Sequence, residues 1–399
     1  MENLPDILIN LIATVGMLGL WLSLRQRGSM SLLERRISYL AIAMMFMFFM
    51  RSWFWVNNSY LIERIALIPV VTIPFLVLIA TEGLMRRHAP FVMKCLTAMN
   101  FIAASVVILL GHRQFEPWFS YGICAFQLLV FLFCLIWILT RKASDLTASE
   151  NRSATVFALT LVSVSLVGLT DFPEIVVTPV RLGAVGVLIV AYILVLANSR
   201  PFSFRLVGLE IITILIAVVM SAWVSIAVLG VNNLEQAIVL GAVLFSLLLT
   251  AVIIYRVFNA RSGAHGEAER LLSRVNTDTL SVFLSGALAG KMTPYSAILG
   301  PKDLSDYNIS NLVEAYQFIP VISDKMLREQ LCSKLPKAAC EQIEDILNQH
   351  QASHSFMASI SPPLIVVSAA QPFGDEREFS TYLSLVSKIA RLIKNEKTA

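Results

Sequence analysis

A charge or an amide set inside an apolar run is costly unless it finds a partner, so the few such residues in this chain are where chemistry would sit. Arg51, Glu63 and Arg64 fall near the facing ends of two apolar runs, and Asp171, Glu174 and Arg181 fall near the ends of two others. Gln127, part-way down a further run, is the most deeply placed amide. Two kinds of chemistry suit them. Arg51 and Arg64 could reach toward the membrane surface and pair with Glu63 or Asp171, which would only hold helices together. Alternatively the same cations, with Trp53 and Trp55 as stacking walls, could recognise a ligand or sense a cue. Trp53 and Trp55 also suit an ordinary aromatic belt at the membrane interface. Glu82 and Glu210 stand beside Arg86 and Arg205, and local pairing accounts for them.

Several function classes lack their residues. No pair of His sits at helical spacing for a metal, and Cys95, Cys124, Cys134, Cys332 and Cys340 form no CxxC. Ser285-Gly286-Ala287 and Ser296 lack a GxSxG setting and a partner base. His350 and His354 flank Gln351-Ala352-Ser353 without the neighbours of a phospho-acceptor box, which leaves them a loop or hairpin-edge role. A proton-coupled pump would need charges deep in several runs, and these are missing. The sequence therefore calls for no metal, no cofactor and no catalytic residue.

The elements that carry these residues are membrane spans. Of 399 residues, 57% are apolar and only 15% charged, far from the make-up of a soluble domain. Nine runs are long enough to count, at about Ile7–Leu24, Ile37–Val56, Tyr60–Leu84, Phe91–Leu110, Trp118–Leu139, Ala154–Leu169, Val180–Ala197, Leu206–Leu229 and Ala237–Phe258. Pro69 and Pro74 should kink the third. Met1–Asp6 is acidic and has no basic n-region, which argues against a cleaved leader. Arg and Lys gather in alternate loops, which puts the N-terminus outside and the C-terminal part in the cytoplasm. The net charge of +4 follows from that pattern and not from a nucleic-acid surface. Outer loops are short, so a cue must reach the bundle itself.

Residues 1–258 thus form a helical bundle, 259–266 a hinge and 267–399 a cytoplasmic α/β domain. In the hinge, Gly263 and Gly266 are poor helix residues and define a transmission joint or a plain tether. Within the domain, helices are expected at Glu267–Arg274, Leu280–Ala289, Ser310–Phe318, Asp324–Leu335 and Lys337–Gln349. Asn276-Thr277-Asp278 could cap the second, Ser323 the fourth, and Gly290 could end the second. Tyr295–Gly300 reads as a strand, and His354–Ile360 with Leu364–Ala370 reads as a hairpin around Ser361-Pro362-Pro363. Phe379, Leu383, Val386, Ala390 and Ile393 make one stripe on a closing helix.

That ending, hairpin then Gln371-Pro372-Phe373-Gly374-Asp375-Glu376 then a long helix, resembles the C-terminal end of a GAF domain. The cyclic-nucleotide signature of that family is absent. The first seven spans resemble, in length and loop economy, the seven-helix sensor regions found before bacterial histidine kinases. No phospho-acceptor box, ATP lid, GG(D/E)EF or EAL run follows. The resemblances imply a non-enzymatic membrane sensor that relays a cue to a cytoplasmic regulator or kinase. They also imply a homodimer paired through the terminal helices of the domain, at the closing stripe and Leu271, Leu272 and Val275. Membrane lipids are the other expected partners. The alternative is a transport or envelope-assembly component with a docking domain.

Overall fold

The computed structural model describes residues 3–25, 32–142, 146–173, 175–199, 204–229, 233–263, 272–273, 275–289, 293, 295–327, 335–370 and 376–396. The chain is a polytopic helical membrane protein with a small C-terminal α/β region. It divides into two units. One holds Met1–Arg141, Ala154–Ala197 and Phe202–Arg261, and the other holds Lys142–Ser153, Asn198–Pro201 and Ser262–Ala399.

The first unit is all helix: α1 Leu4–Arg25, α2 Leu32–Asn57, α3 Tyr60–Met85, α4 Phe91–Gly111, α5 Trp118–Leu139, α6 Ala148–Gly168, α7 Gly183–Ser199, α8 Phe204–Leu229 and α9 Leu234–Gly263. Among the described residues seven stretches are long and apolar enough to cross a membrane: α1, α2, α3, α4 with the 3-10 turn that follows it, Trp118–Leu139, Glu150–Asp171 and Glu235–Phe258. Seven of the nine expected spans are among them. Among the described residues the expected seventh and eighth spans show shorter apolar stretches, Gly183–Val195 and Ile211–Met220, the second lying within the longer helix α8. The seventh begins late for a local reason, because Val180–Leu182 is drawn out of helix by side chains that bind its backbone.

Close approach organises the contact between α1, α7 and α9. A Cβ on Gly16 would collide with the Leu188 side chain and sit 3.1 Å from Thr250 Oγ1. In turn, Thr250 donates to the Ile12 carbonyl at 3.4 Å. α3 stays one helix through Pro69 and Pro74. α9 runs unbroken past Phe258 to Gly263, and Gly266 lies outside the described residues.

The second unit contains α10 Leu280–Leu288, β1 Ser296–Leu299, α11 Ile309–Phe318, β2 Val321–Ser323, a helical turn Asp324–Met326, α12 Lys337–Gln349, β3 His354–Ile360, β4 Pro363–Ser368 and α13 Glu376–Glu396. The strands form one antiparallel sheet in the order β1-β4-β3-β2, with Ser296 opposite Ser368, Val321 opposite Phe356 and Phe356 opposite Val366. Side chains alternate between two cores. Met357, Ile365, Val367 and Ile322 meet α11 and α12 on one face. Phe356, Ala358, Val366 and Val321 meet α10 and α13 on the other. Helices on both faces explain why β3 reads as an unbroken buried run instead of a half-polar strand.

Details depart from expectation. β2 was not expected, being only three residues between helices. The cap of α10 is Thr279, whose hydroxyl accepts from Val282 N at 3.3 Å, while Asn276 and Asp278 bind each other one turn earlier. Ser323 does cap the turn at Asp324, accepting from Met326 N at 3.2 Å. His354 is no edge residue: it opens an inner strand and is 2% exposed. Phe379, Leu383, Val386, Ala390 and Ile393 are buried in the domain's own core, and the half-buried Leu272 and Val275 pack against it. The stripe expected to face a second copy is thus already covered. Glu267–Leu271, Gly290, most of the fourth helix and the Gln371–Asp375 connection lie outside the described residues.

Candidate functional site

The first backbone N–H groups of a helix have no partner within it and carry partial positive charge. At the entry to α7 three consecutive backbone N–H groups, those of Arg181 and Leu182 just before the helix and of Gly183 at its start, are taken by side chains from elsewhere. Asp6 Oδ1 accepts from Arg181 N at 2.9 Å, Thr170 Oγ1 from Leu182 N at 2.8 Å, and Asp171 Oδ1 from Gly183 N at 3.1 Å. The two carboxylates come from α1 and from the 3-10 turn after α6, so the first helix meets the end of the sixth at one helix start. Any side chain at position 183 would have to displace the Asp171 carboxylate. A Cβ there would lie 2.5 Å from Asp171 Oδ2.

The other oxygen of Asp171 receives Arg51 Nη1 from α2 at 2.6 Å. Both side chains are under one-fifth exposed, 17% for Arg51 and 19% for Asp171, so water screens the pair only in part. Arg51 also lies over the Trp55 ring with its guanidinium carbon 5.0 Å from the centroid, and Arg181 approaches the same ring at 5.2 Å. One indole therefore contacts two guanidinium groups, and cation–π attraction offsets part of their mutual repulsion. Below them, Asn10 donates to the Asp6 carbonyl at 2.6 Å, while its own side-chain oxygen is buried without a partner. Four expected residues, Arg51, Trp55, Asp171 and Arg181, are brought together here, along with Asp6, Thr170 and Gly183, which sequence reasoning missed. Position 6 lies 175 residues from its partner, and no local pattern signals that bond.

No family model, curated protein or solved structure matches this chain.

The remaining expected residues lie elsewhere. Trp53 points outward, 49% exposed, edge-on to Phe49 at 5.8 Å. Glu174 lies outside the described residues. Gly263 is the last residue of α9. Gln127 of α5 donates from Nε2 to the Val70 carbonyl at 3.0 Å. Val70 is four residues before Pro74, and proline has no N–H to offer it. The deepest amide thus replaces the helix bond that Pro74 removes.

Two further carboxylates of α3 have partners other than those expected. Glu82 is bound by Arg36 Nη2 at 3.0 Å, by Lys94, by His88 Nδ1 at 3.2 Å and by Ala89 N at 3.0 Å, which joins α2, α3, α4 and the turn between the last two. Arg86 is not its partner. Glu63 faces Arg113 Nη2 at 2.6 Å and His112 Nε2 at 3.4 Å. The Arg113 contact is a close ion pair without hydrogen-bond alignment. Arg64 pairs with neither Glu63 nor Asp171, contrary to expectation. Among the described residues no group of three His, Cys, Asp or Glu is placed to hold a metal.

Proposed function

We propose that this chain is a non-enzymatic membrane signalling protein. Its bundle answers to a cue in or beyond a bacterial inner membrane, and its C-terminal domain, read as a GAF-like module in the cytoplasm, passes the change to a separate regulator or kinase. The observation that carries the reading is covalent: α6 and α9 each begin in one unit and end in the other. A continuous helix transmits rotation or axial shift along its length, because its backbone bonds run from turn to turn. The Arg51–Asp171 pair supports a source for such a shift, since it ties α2 to the turn that ends α6 across 120 positions. The antiparallel sheet and the hairpin leading into α13 support the GAF-like reading of the domain. A second copy would have to pair through faces other than the α13 stripe.

The experiment uses the full chain in lipid nanodiscs and hydrogen exchange as readout. Arg51→Gln should change exchange not only in α2 and α7 but also in peptides covering β3, β4 and α13. Gly263→Ala with Gly266→Ala should favour unbroken helix at the boundary by about 1–2 kcal/mol and alter the size of that distant response. If Arg51→Gln perturbs the bundle while the domain exchanges as in wild type, the relay does not exist and the domain is simply tethered.

A further inference from the structure

The joint between α4 and α5 holds a second cluster, distinct from the α7 site. Gly111 ends α4 with φ at +119°, a left-handed backbone that glycine adopts freely, and the 3-10 turn His112–Phe115 follows. Three hydrogen-bond donors converge on its bare α-carbon. A Cβ built there would lie 3.3 Å from the Tyr60 hydroxyl, 3.7 Å from Arg64 Nη2 and 3.7 Å from Gln114 Nε2. None of the three makes a hydrogen bond within the described residues, and Arg64 Nε is buried without a partner. The His112 side chain, 2% exposed, stacks on Tyr60 at 5.8 Å, and its Nδ1 also lacks a partner.

The charges do not cancel. Glu63 is matched by Arg113, which leaves Arg64 as a cation with no acidic partner among the described residues, held over the Tyr60 ring at 4.2 Å. An uncompensated guanidinium beside two neutral donors recognises an oxyanion, and arginine with hydroxyl and amide donors suits phosphate. Depth narrows the choice further. The cluster lies where α3 and α5 begin and α4 ends, flanked by exposed Phe115 and Trp118, the setting of an aromatic belt at headgroup level. We infer that Tyr60, Arg64 and Gln114 around Gly111 form a binding site for a phosphate group, carried by a phospholipid headgroup or by a small soluble phosphate.

The test uses the purified full chain in detergent, with bound lipid read by native mass spectrometry and Tm read in parallel. Phosphatidylglycerol should remain bound and raise Tm, and Arg64→Gln should weaken that binding about tenfold or more. Tyr60→Phe keeps the stacked ring and loses only the hydroxyl, so it should fold as wild type yet bind more weakly. Inorganic phosphate separates the two sources. If it raises Tm alone and displaces the lipid, a soluble phosphate is the ligand; if it does neither while phosphatidylglycerol binds, the ligand is a headgroup. Binding of neither probe, or binding indifferent to both substitutions, overturns the assignment.

Discussion

Lowering the pH should loosen the C-terminal domain through His354. Burial at the start of β3 pushes its pKa from 6.5 down to about 4, and nearby Asp324 opposes that shift only in part. The ring is 2% exposed, lies edge-on to Phe379 at 5.0 Å, and its Nδ1 is 2.9 Å from the Ser353 hydroxyl. Because the folded pKa is below the unfolded one, the folded state resists protonation. The resulting stability is fully present above about pH 6.5 and is lost as pH falls through the folded pKa. A difference of about 2.5 pKa units corresponds to about 3 kcal/mol, and most of it is gone by about pH 4.5. The assay is hydrogen exchange of the full chain in detergent from pH 7 to 4.5, corrected for the intrinsic rate, on β3 and β4 amides that exchange by opening of the domain. Their opening free energy should fall steadily below about pH 6.5, whereas His354→Gln should flatten that slope between about pH 6.5 and 5, above the range of ordinary carboxylates. Equal slopes in the two proteins would refute the reasoning.

Three other outcomes follow from the bundle. Gly183→Ala should push the Asp171 carboxylate off both the Gly183 N–H and Arg51, at a cost of about 1.5–3 kcal/mol for a lost charged hydrogen bond, seen as a lower Tm in detergent; an unchanged Tm would mean the carboxylate moves freely. Gln127→Leu should destabilise by about 1–3 kcal/mol through the stranded Val70 carbonyl, but should be nearly silent beside Pro74→Ala, which gives that carbonyl its own helix donor back. Additive losses in that pair of substitutions would exclude the Pro74 account. For orientation, a reporter active only in the cytoplasm should work when fused after Arg200 or Ala399 and stay silent after Asn232, and activity at Asn232 would invert the topology.

What the sequence made legible was whatever repeats at a fixed local period. The closing stripe from Phe379 to Ile393 recurs at helical spacing, and α13 buries those residues together. Long apolar runs marked the seven crossing stretches among the described residues, whereas the start of α7 escaped because tertiary bonds from Asp6, Thr170 and Asp171 decide where that helix begins. Ion pairing was legible more fully as residue types than as partners. Arg51 was expected to meet Asp171 or Glu63 and meets Asp171, whereas Glu82 takes Arg36 and Lys94 from neighbouring helices instead of the adjacent Arg86. Strand β2 escaped because three residues carry too little alternation to read. The role of Gln127 was hidden for a different reason, since the deficit it repairs belongs to a proline on another helix.

Glu63 and Glu82 lie on the same helix, nineteen positions apart, and each is bound by cations from elements beside α3. At 1.5 Å per residue that separation is about 28 Å, close to the roughly 30 Å of hydrocarbon in a bilayer. The third helix therefore carries its own ruler, with one ionic peg for each membrane face. In a bilayer matched to that length both pegs rest among headgroups and water. A much thicker bilayer must thin locally, or draw one set of charges toward its apolar layer, and a thinner one is met by tilt. Membrane thickness should thus bear on this protein through two fixed points, whose spacing is set by the helix rise.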